Sequence, residues 1–170
     1  MGMAHSCYGQ CETCAVNLTS RYHSLSRHVE QCQYTASDDD NTQLTRINIL
    51  HAEQVTQYCG SECAQIGAYS QLNDRGISLN LVGDGPITPC SKCSKPMDLT
   101  QAHIAYELMD QTEIRQPWIT CADTHDSETV ARVCSNCDGD LAMVTAFDAM
   151  DEPKDSAQSA VAQNLVELLK

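Results

Sequence analysis

The sequence predicts a small, metal-stabilised α+β protein in which two successive units each fold around a metal ion. Three observations lead to this fold class. Eight of the eleven cysteines form four close pairs, and the chain of 170 residues has only one Phe and one Trp with which to build a core. Apolar residues at helical spacing follow two of the pairs. Small units with so little apolar burial commonly depend on a metal or on disulfides.

The close cysteine pairs recur in the same order in each half of the chain: a leading pair, a long stretch and a closing pair. Two such pairs supply four soft thiolates, which is the tetrahedral ligand set of a structural zinc ion, so we predict two Zn²⁺ ions per chain. His5 and Cys7 are alternative ligands for the first site. The predicted sites are Cys11, Cys14, Cys59 and Cys63, and then Cys90, Cys93, Cys134 and Cys137.

The residues beside the pairs are also similar in the two halves, which favours a tandem duplication. Glu53 and Val55 precede the first closing pair at the same offsets at which Glu128 and Val130 precede the second. The expected organisation is a first zinc-binding unit at 1–76, a second at 77–150, and an acidic linker with a C-terminal helix at 151–170.

Each unit is expected to contain a hairpin followed by a helix. Apolar residues within 21–34 have helical spacing, but the corresponding stretch 103–109 alternates like a strand, and the repeat favours strands in both. A helix is expected after each closing pair, because the N–H groups at a helix N-terminus stabilise thiolates. Residues 46–50 and 117–121 are expected to be the return strands, residues 77–82 a short strand, and residues 83–86 a hinge turn.

The C-terminal segment predicts an amphipathic helix. Asp155 and Gln158 can form a capping box, and the apolar residues of 156–169 then lie along one stripe. Packing on the second unit and docking on a protein partner are both open for this helix. Cys32 and Cys121 lie in apolar segments and are expected to pack as small hydrophobic residues.

The segment Tyr58-Cys59-Gly60-Ser61-Glu62-Cys63 resembles the aromatic-Cys-Ser-x-x-Cys half of treble-clef zinc fingers. The second half is similar to the zinc-ribbon-like CPxCG proteins of halophilic archaea, although Ser91 stands where those proteins have Pro and Ser94 where they usually have Gly. The resemblance implies two treble-clef or zinc-ribbon-like units stabilised by zinc. It implies little about activity, because such folds serve many functions.

The net charge of −13 argues against nucleic acid as a partner, because phosphate would be repelled over most of the surface. It fits either a halophilic source or an acidic docking surface. The N-terminus has no signal-peptide pattern and no apolar run is long enough for a membrane span, so we expect reduced cysteines and a cytoplasmic location.

These observations favour a non-enzymatic interaction or regulatory module, since four thiolates leave no open position on a zinc ion. One alternative is a nucleic-acid-associated factor adapted to high salt, which would need a basic patch formed by Arg21, Arg27, His28 and Arg46. Another is a metal-dependent nuclease or other metalloenzyme that uses His51 and Glu53. A thiol switch would need an exposed reactive cysteine, with Cys7 as the first candidate.

Overall fold

The computed structural model of the chain describes residues 9–36, 42–79 and 85–138. Within these ranges it contains six strands and one helix. They are β1 Arg21–Ala36, β2 Thr42–Tyr58, α1 Ser61–Asp74, β3 Ile87–Pro89, β4 Pro96–Asp98, β5 His103–Gln116 and β6 Ile119–Val133. The long strands form one antiparallel sheet in the order β2-β1-β5-β6, and β3 pairs with β4 in a separate small hairpin.

Strand β1 is central in the sheet and is buried from 24 to 30. Successive side chains of a strand point to opposite faces. Leu25 and Val29 therefore face one side, where they lie beside Leu108 and Ile104 of β5. The other side of β1 carries polar residues that are nevertheless buried, among them Ser24, Ser26, His28 and Glu30. The strand interpretation of 21–34 is thus confirmed, as is that of 103–109.

The main core lies between helix α1 and the apolar face of the sheet. Ala64, Ala68 and Leu72 recur every four residues, so they form one stripe along α1, and all three are at most 1% exposed. They pack in one cluster with apolar residues of β1 and β5 and with Tyr58 at the end of β2. The helix expected after the first closing pair is therefore present and covers the sheet.

The predicted fold class is wrong. The described part of the chain is mostly antiparallel sheet with a single helix, not an α+β arrangement of two small zinc fingers and a C-terminal helix. The physical reason is the length of the stretches between the cysteine pairs. Each is filled by a hairpin whose strands have 14 to 17 residues, and these strands pair into one sheet.

The bounds of three predicted elements differ from those of the structure. The return strands are much longer than the predicted 46–50 and 117–121. Residues 77–79 have no regular secondary structure, so the predicted strand at 77–82 is wrong over its described part. His5, Cys7, the helix expected from 141 onward, the linker and the helix at 156–169 lie outside the described residues.

The two long hairpins contain β-bulges at corresponding positions. Leu25 pairs with Thr56 and Ser26 with Gln54, so Val55 is the extra residue of β2. The same irregularity on β6 leaves Val130 as its extra residue. A bulge bends its strand and increases the local twist, and it is a specific feature of a sheet. The Glu-x-Val stretches that are similar in sequence therefore have the same local structure.

The sheet also joins the two halves of the chain. Strand β1 pairs with β5 from Arg21 opposite Thr112 to Glu30 opposite His103. The proposed boundary at residue 76 lies between the two long hairpins in sequence. That the chain divides there into two units stays a prediction. Helix α1 is too short and too polar to cross a lipid bilayer, and it is the single helix in the described ranges.

Candidate metal centres

The first cysteine group is assembled where the leading turn meets the junction of β2 and α1. The turn after Cys11 closes through hydrogen bonds from Cys11 N to Val16 O and from Ala15 N to Cys11 O, both 2.8 Å, and Ala15 has a φ of 58°. Glu12 N donates to Gln57 O at 3.1 Å, which attaches the turn to the end of β2. The side chains of Cys11 and Cys14 are thereby held opposite the closing pair.

The closing pair of this group spans the start of α1. Cys59 follows β2 directly, and Cys63 lies in the first turn of α1. Thr13 Oγ1 donates a hydrogen bond to Cys63 O at 2.8 Å, so the leading turn and the helix are linked. The N-cap residue Gly60 has no side chain with which to cap the first N–H groups of α1.

The second cysteine group is built in the same way at its leading pair. Cys90 N donates to Lys95 O at 2.8 Å and Ser94 N to Cys90 O at 2.9 Å, and Ser94 has a φ of 60°. Ser91 N donates to Arg132 O at 2.8 Å, which attaches this turn to the end of β6. The two leading turns are therefore alike, and in each the residue directly after the cysteine pair, Ala15 or Ser94, has a left-handed backbone conformation.

The closing pair of the second group differs from that of the first. Cys134 follows β6, and Cys137 N donates to Cys134 O at 3.0 Å in a turn. No helix is present from Cys134 to the end of the described residues at 138. A turn of this kind brings both sulfurs to the same side of the chain as the leading pair.

The sulfur positions fit a tetrahedral metal ion. In each group the four Sγ atoms lie within 4.8 Å of one another. Individual separations are 3.6 Å for Cys14–Cys59 and Cys59–Cys63, and 3.8 Å for Cys93–Cys134. A zinc ion with Zn–S bonds of about 2.3 Å holds its sulfurs about 3.8 Å apart. A disulfide would need about 2.05 Å, so these sulfurs are arranged as ligands and not as bridges.

One thiol in each group is readily deprotonated. Burial opposes ionisation of Cys11, but backbone N–H groups of Cys59, Cys14 and Thr13 point at its sulfur and lower its pKa to about 6. Cys90 is likewise buried, and the N–H groups of Cys134, Cys93 and Lys92 lower its pKa to about 6. Both thiolates are stabilised by the turns that position them.

Cys63 and Cys137, by contrast, hold their protons when only protein surrounds them. A hydrogen bond with Cys59 and then burial raise the pKa of Cys63 to about 12. Burial, followed by hydrogen bonds with the neighbouring thiols, raises the pKa of Cys137 to about 12. Four thiolates in so small a volume repel one another, and a divalent cation is the partner that neutralises them. The residues present therefore fit Zn²⁺, and tetrahedral S₄ sites also accept iron.

The residues of the two alternative functions are not assembled into sites. Arg21 pairs with Asp110 at 2.5 Å, and Arg27 is buried between Glu53 and Asp138 at 3.3 and 3.0 Å. His28 is also buried, so two of the four residues proposed for a basic patch are not at the surface, while Arg46 is exposed on β2. His51 is exposed. Neither it nor Glu53 belongs to any group of metal-competent side chains in the described ranges.

Sequence reasoning missed two groups in the buried polar face of the sheet. One consists of Glu30, Cys32 and His103, and the other of His28, Glu30 and Glu107. Their members come from β1 and β5, and nothing in the sequence shows that these strands are neighbours. Cys32 is buried beside Met97 and Leu99, as expected for a small hydrophobic residue. Cys121 is exposed on β6, so its expected burial is wrong.

No protein-family model, curated protein or solved structure matches the chain.

Proposed function

We propose that this chain is a zinc protein in which two Zn²⁺ ions, each bound by four cysteines, stabilise a β-sheet scaffold that serves as a non-enzymatic protein-interaction module. The observation that carries the proposal is the spacing of the sulfurs, which matches a tetrahedral ion in both groups. All four positions on each ion would be filled by thiolates. The ions would therefore stabilise structure and would not bind a substrate.

The two centres would act as clamps at the bases of the long hairpins. Each leading turn hydrogen-bonds to the last residues of a return strand, at Gln57 and at Arg132. A bound ion would join that turn to the residues that follow the strand. Structural zinc is worth about 10–16 kcal/mol in small peptides at neutral pH, whereas a whole domain is stable by about 5–15 kcal/mol. Metal binding would thus decide whether each hairpin base is folded.

We further propose that the first centre is treble-clef-like and the second zinc-ribbon-like, both derived from a duplicated unit. The first has a closing pair that runs into a helix, and the second closes on a turn. The duplication is supported by the matching bulges at Val55 and Val130, and by the left-handed residues Ala15 and Ser94 after the leading pairs.

The interaction role is supported by exposed apolar residues far from the centres. Three exposed apolar residues lie at or beside the turn between β5 and β6, and we call them the hairpin tip. They are Ile114 near the end of β5, Trp118 in the turn and Ile119 at the start of β6, with exposures of 42, 82 and 52%. Exposed Trp is a common anchor of protein interfaces. A protein partner with an apolar pocket would bury this tip, and the segment 156–169 stays a proposed second contact.

Metal analysis of the purified chain tests the zinc centres. We expect Cys59→Ser and Cys134→Ser each to lower the zinc content by one ion per chain, and Cys121→Ser to leave it unchanged because that exposed thiol belongs to neither group. Chelation should abolish the cooperative unfolding transition. Equal zinc content in all four proteins would refute the proposal.

A partner-retention experiment tests the interaction role separately. Trp118→Ser in the zinc-loaded protein should leave the unfolding midpoint unchanged, because the side chain is 82% exposed, and should reduce retention of the protein partners captured by wild type. Thr120→Ser on the neighbouring strand is the matched control. Undiminished retention with both Trp118→Ser and deletion of 152–170 would remove the interaction role and leave the zinc centres standing.

A further inference from the structure

A ligand set of a different kind lies on the polar face of the sheet. Glu30 and Cys32 are two residues apart on β1, so they point to the same face, and His103 is the register partner of Glu30 on β5. One ligand atom from each lies within 4.8 Å of the others. The three residues are 1, 2 and 0% exposed, which is unusual for an acid and a histidine.

The hydrogen bonds of His103 show what this cluster lacks. Its Nδ1 lies 2.9 Å from Gln101 O, and a carbonyl only accepts, so Nδ1 carries a hydrogen. In neutral imidazole, Nε2 then presents a lone pair. That atom lies 3.1 Å from Glu30 Oε1, which is also an acceptor. A hydrogen or a cation must therefore join these two atoms: a proton on the imidazole, a proton on the carboxyl group, or a metal ion bound by both.

The surroundings favour the metal ion. Glu30 Oε2 is buried and makes no hydrogen bond, so a proton between His103 and Oε1 leaves it unpaired at a cost in free energy. The Cys32 thiol supplies a third donor that the proton would not use. Histidines that ligate metals usually donate their other ring N–H to a carbonyl or carboxylate, as His103 does to Gln101.

The charge balance also permits a divalent ion. Binding of M²⁺ would release one proton from the Cys32 thiol and the one that otherwise joins His103 to Glu30, so the net charge of the cluster stays the same. Arg132 Nε lies 4.0 Å from Glu30 Oε1. Glu107, which groups with Glu30 and His28, adds a second carboxylate next to the cluster.

We propose that Glu30, Cys32 and His103 form a third metal site suited to Zn²⁺. It shares no ligand with the two four-cysteine centres, although Cys134 of the second centre packs against the cluster that contains Cys32. One thiolate, one imidazole and one carboxylate are all zinc ligands, and bonds of about 2.0 Å to nitrogen and oxygen place such atoms about 3.3 Å apart, close to the 3.1 Å found. Three protein ligands leave a fourth position on the ion. An open groove of about 420 Å³, lined in part by Cys32, Tyr34 and Thr100, reaches the Cys32 side of the cluster and would be the route for water to that position.

The first test is the difference in zinc content between wild type and variants of this cluster. We expect three zinc ions per chain in the wild type and two in Cys32→Ser and in His103→Gln, with Cys121→Ser as the control that keeps three. The difference in zinc content between wild type and the variants tests the third site. The number of zinc ions that the variants retain tests the four-cysteine centres. Equal zinc content in wild type and both variants overturns the third site and leaves the proposed function intact.

A second measurement needs no variant, and so it decides the matter even if a substituted core fails to fold. X-ray absorption at the zinc edge of wild-type protein gives the mean ligand set. Three sites predict an average of three sulfurs at about 2.3 Å and one nitrogen or oxygen at about 2.0 Å per zinc. Four sulfurs per zinc with no lighter ligand overturns the proposal.

Discussion

Replacement of Gly67 by Ala should destabilise the first metal centre through a steric clash. Gly67 lies in α1, and a Cβ at this position would be 2.4 Å from Tyr58 Cε1 and 2.5 Å from Thr13 Oγ1. Tyr58 is completely buried and immediately precedes Cys59. Thr13 lies in the leading turn and holds the carbonyl of Cys63. The helix can approach the centre this closely only because the residue there has no side chain.

The expected magnitude follows from three contributions. Ala is favoured over Gly inside a helix by up to about 1 kcal/mol. Overpacking a close contact costs about 1–3 kcal/mol. Loss of the Thr13–Cys63 hydrogen bond costs about 1 kcal/mol more. The steric and hydrogen-bond costs together exceed the gain in helix propensity, so we expect Gly67→Ala to lower the free energy of unfolding by about 2 kcal/mol.

The assay is denaturant unfolding of the zinc-loaded protein, followed by circular dichroism, with Gly60→Ala as the matched control. Gly60 has an extended φ of −175° and nothing within 4 Å of its added Cβ. No clash is expected there, so the same chemical change should cost only the N-cap preference for Gly over Ala, about 0.5–1 kcal/mol. If Gly67→Ala is as stable as Gly60→Ala, the close packing of α1 on the first centre is refuted.

Three further predictions concern thiols and charges. In the zinc-loaded protein, a thiol reagent should modify Cys121 before any cysteine of the two centres, because Cys121 is exposed and lies outside both groups. A time course of modification, mapped by mass spectrometry, tests this order. Simultaneous modification of Cys121 and the eight cysteines of the two centres would contradict their assignment as zinc ligands. Zinc affinity should fall as pH is lowered from 7.5 to 5.5, because zinc must displace protons from thiols such as Cys63, whose pKa is raised to about 12 by the hydrogen bond with Cys59 and by burial; a pH-independent competition with a zinc indicator would count against thiolate ligation. Asp110→Asn should lower the free energy of unfolding by about 0.2–1 kcal/mol at neutral pH and low salt, because the ion pair with Arg21 holds the pKa of the Asp110 carboxyl below its usual value. The loss should be smaller in 1 M NaCl, because the Arg21 side chain is largely exposed and salt screens the pair. Destabilisation that does not change with salt would show that the ion pair is not the cause.

The sequence predicted the local features of the centres well. The spacing of the cysteines predicted the two groups of four thiols that the structure brings together, because a turn of two or three residues between cysteines is a local property of the chain. The helix after the first closing pair and the strand at 103–109 were also readable from apolar spacing, whereas the strand at 21–34 followed from the repeat, against its helical spacing. These features depend on residues that are close together in sequence.

The sequence did not predict the tertiary arrangement, because that depends on contacts between distant residues. Strand β1 has its neighbour β5 in the other half of the chain, and a search for self-contained units does not anticipate such pairing. The cluster at Glu30 and His103 exists only because these residues meet in that register. Arg27 looked available for nucleic acid but is buried in ion pairs with two acids distant in sequence.

The pairing of β1 with β5 has a consequence for how the chain folds. Each hairpin closes contacts between residues that are near one another, such as His23 with Tyr58, whereas the central pairing joins residues as distant as Arg21 and Thr112. Closing the longer loop costs more entropy, and distant contacts slow the search for the native state. Zinc captured early within each half would shorten the effective loop that the central pairing must close. Refolding should therefore be faster with zinc present from the start than with zinc added after the denaturant is diluted.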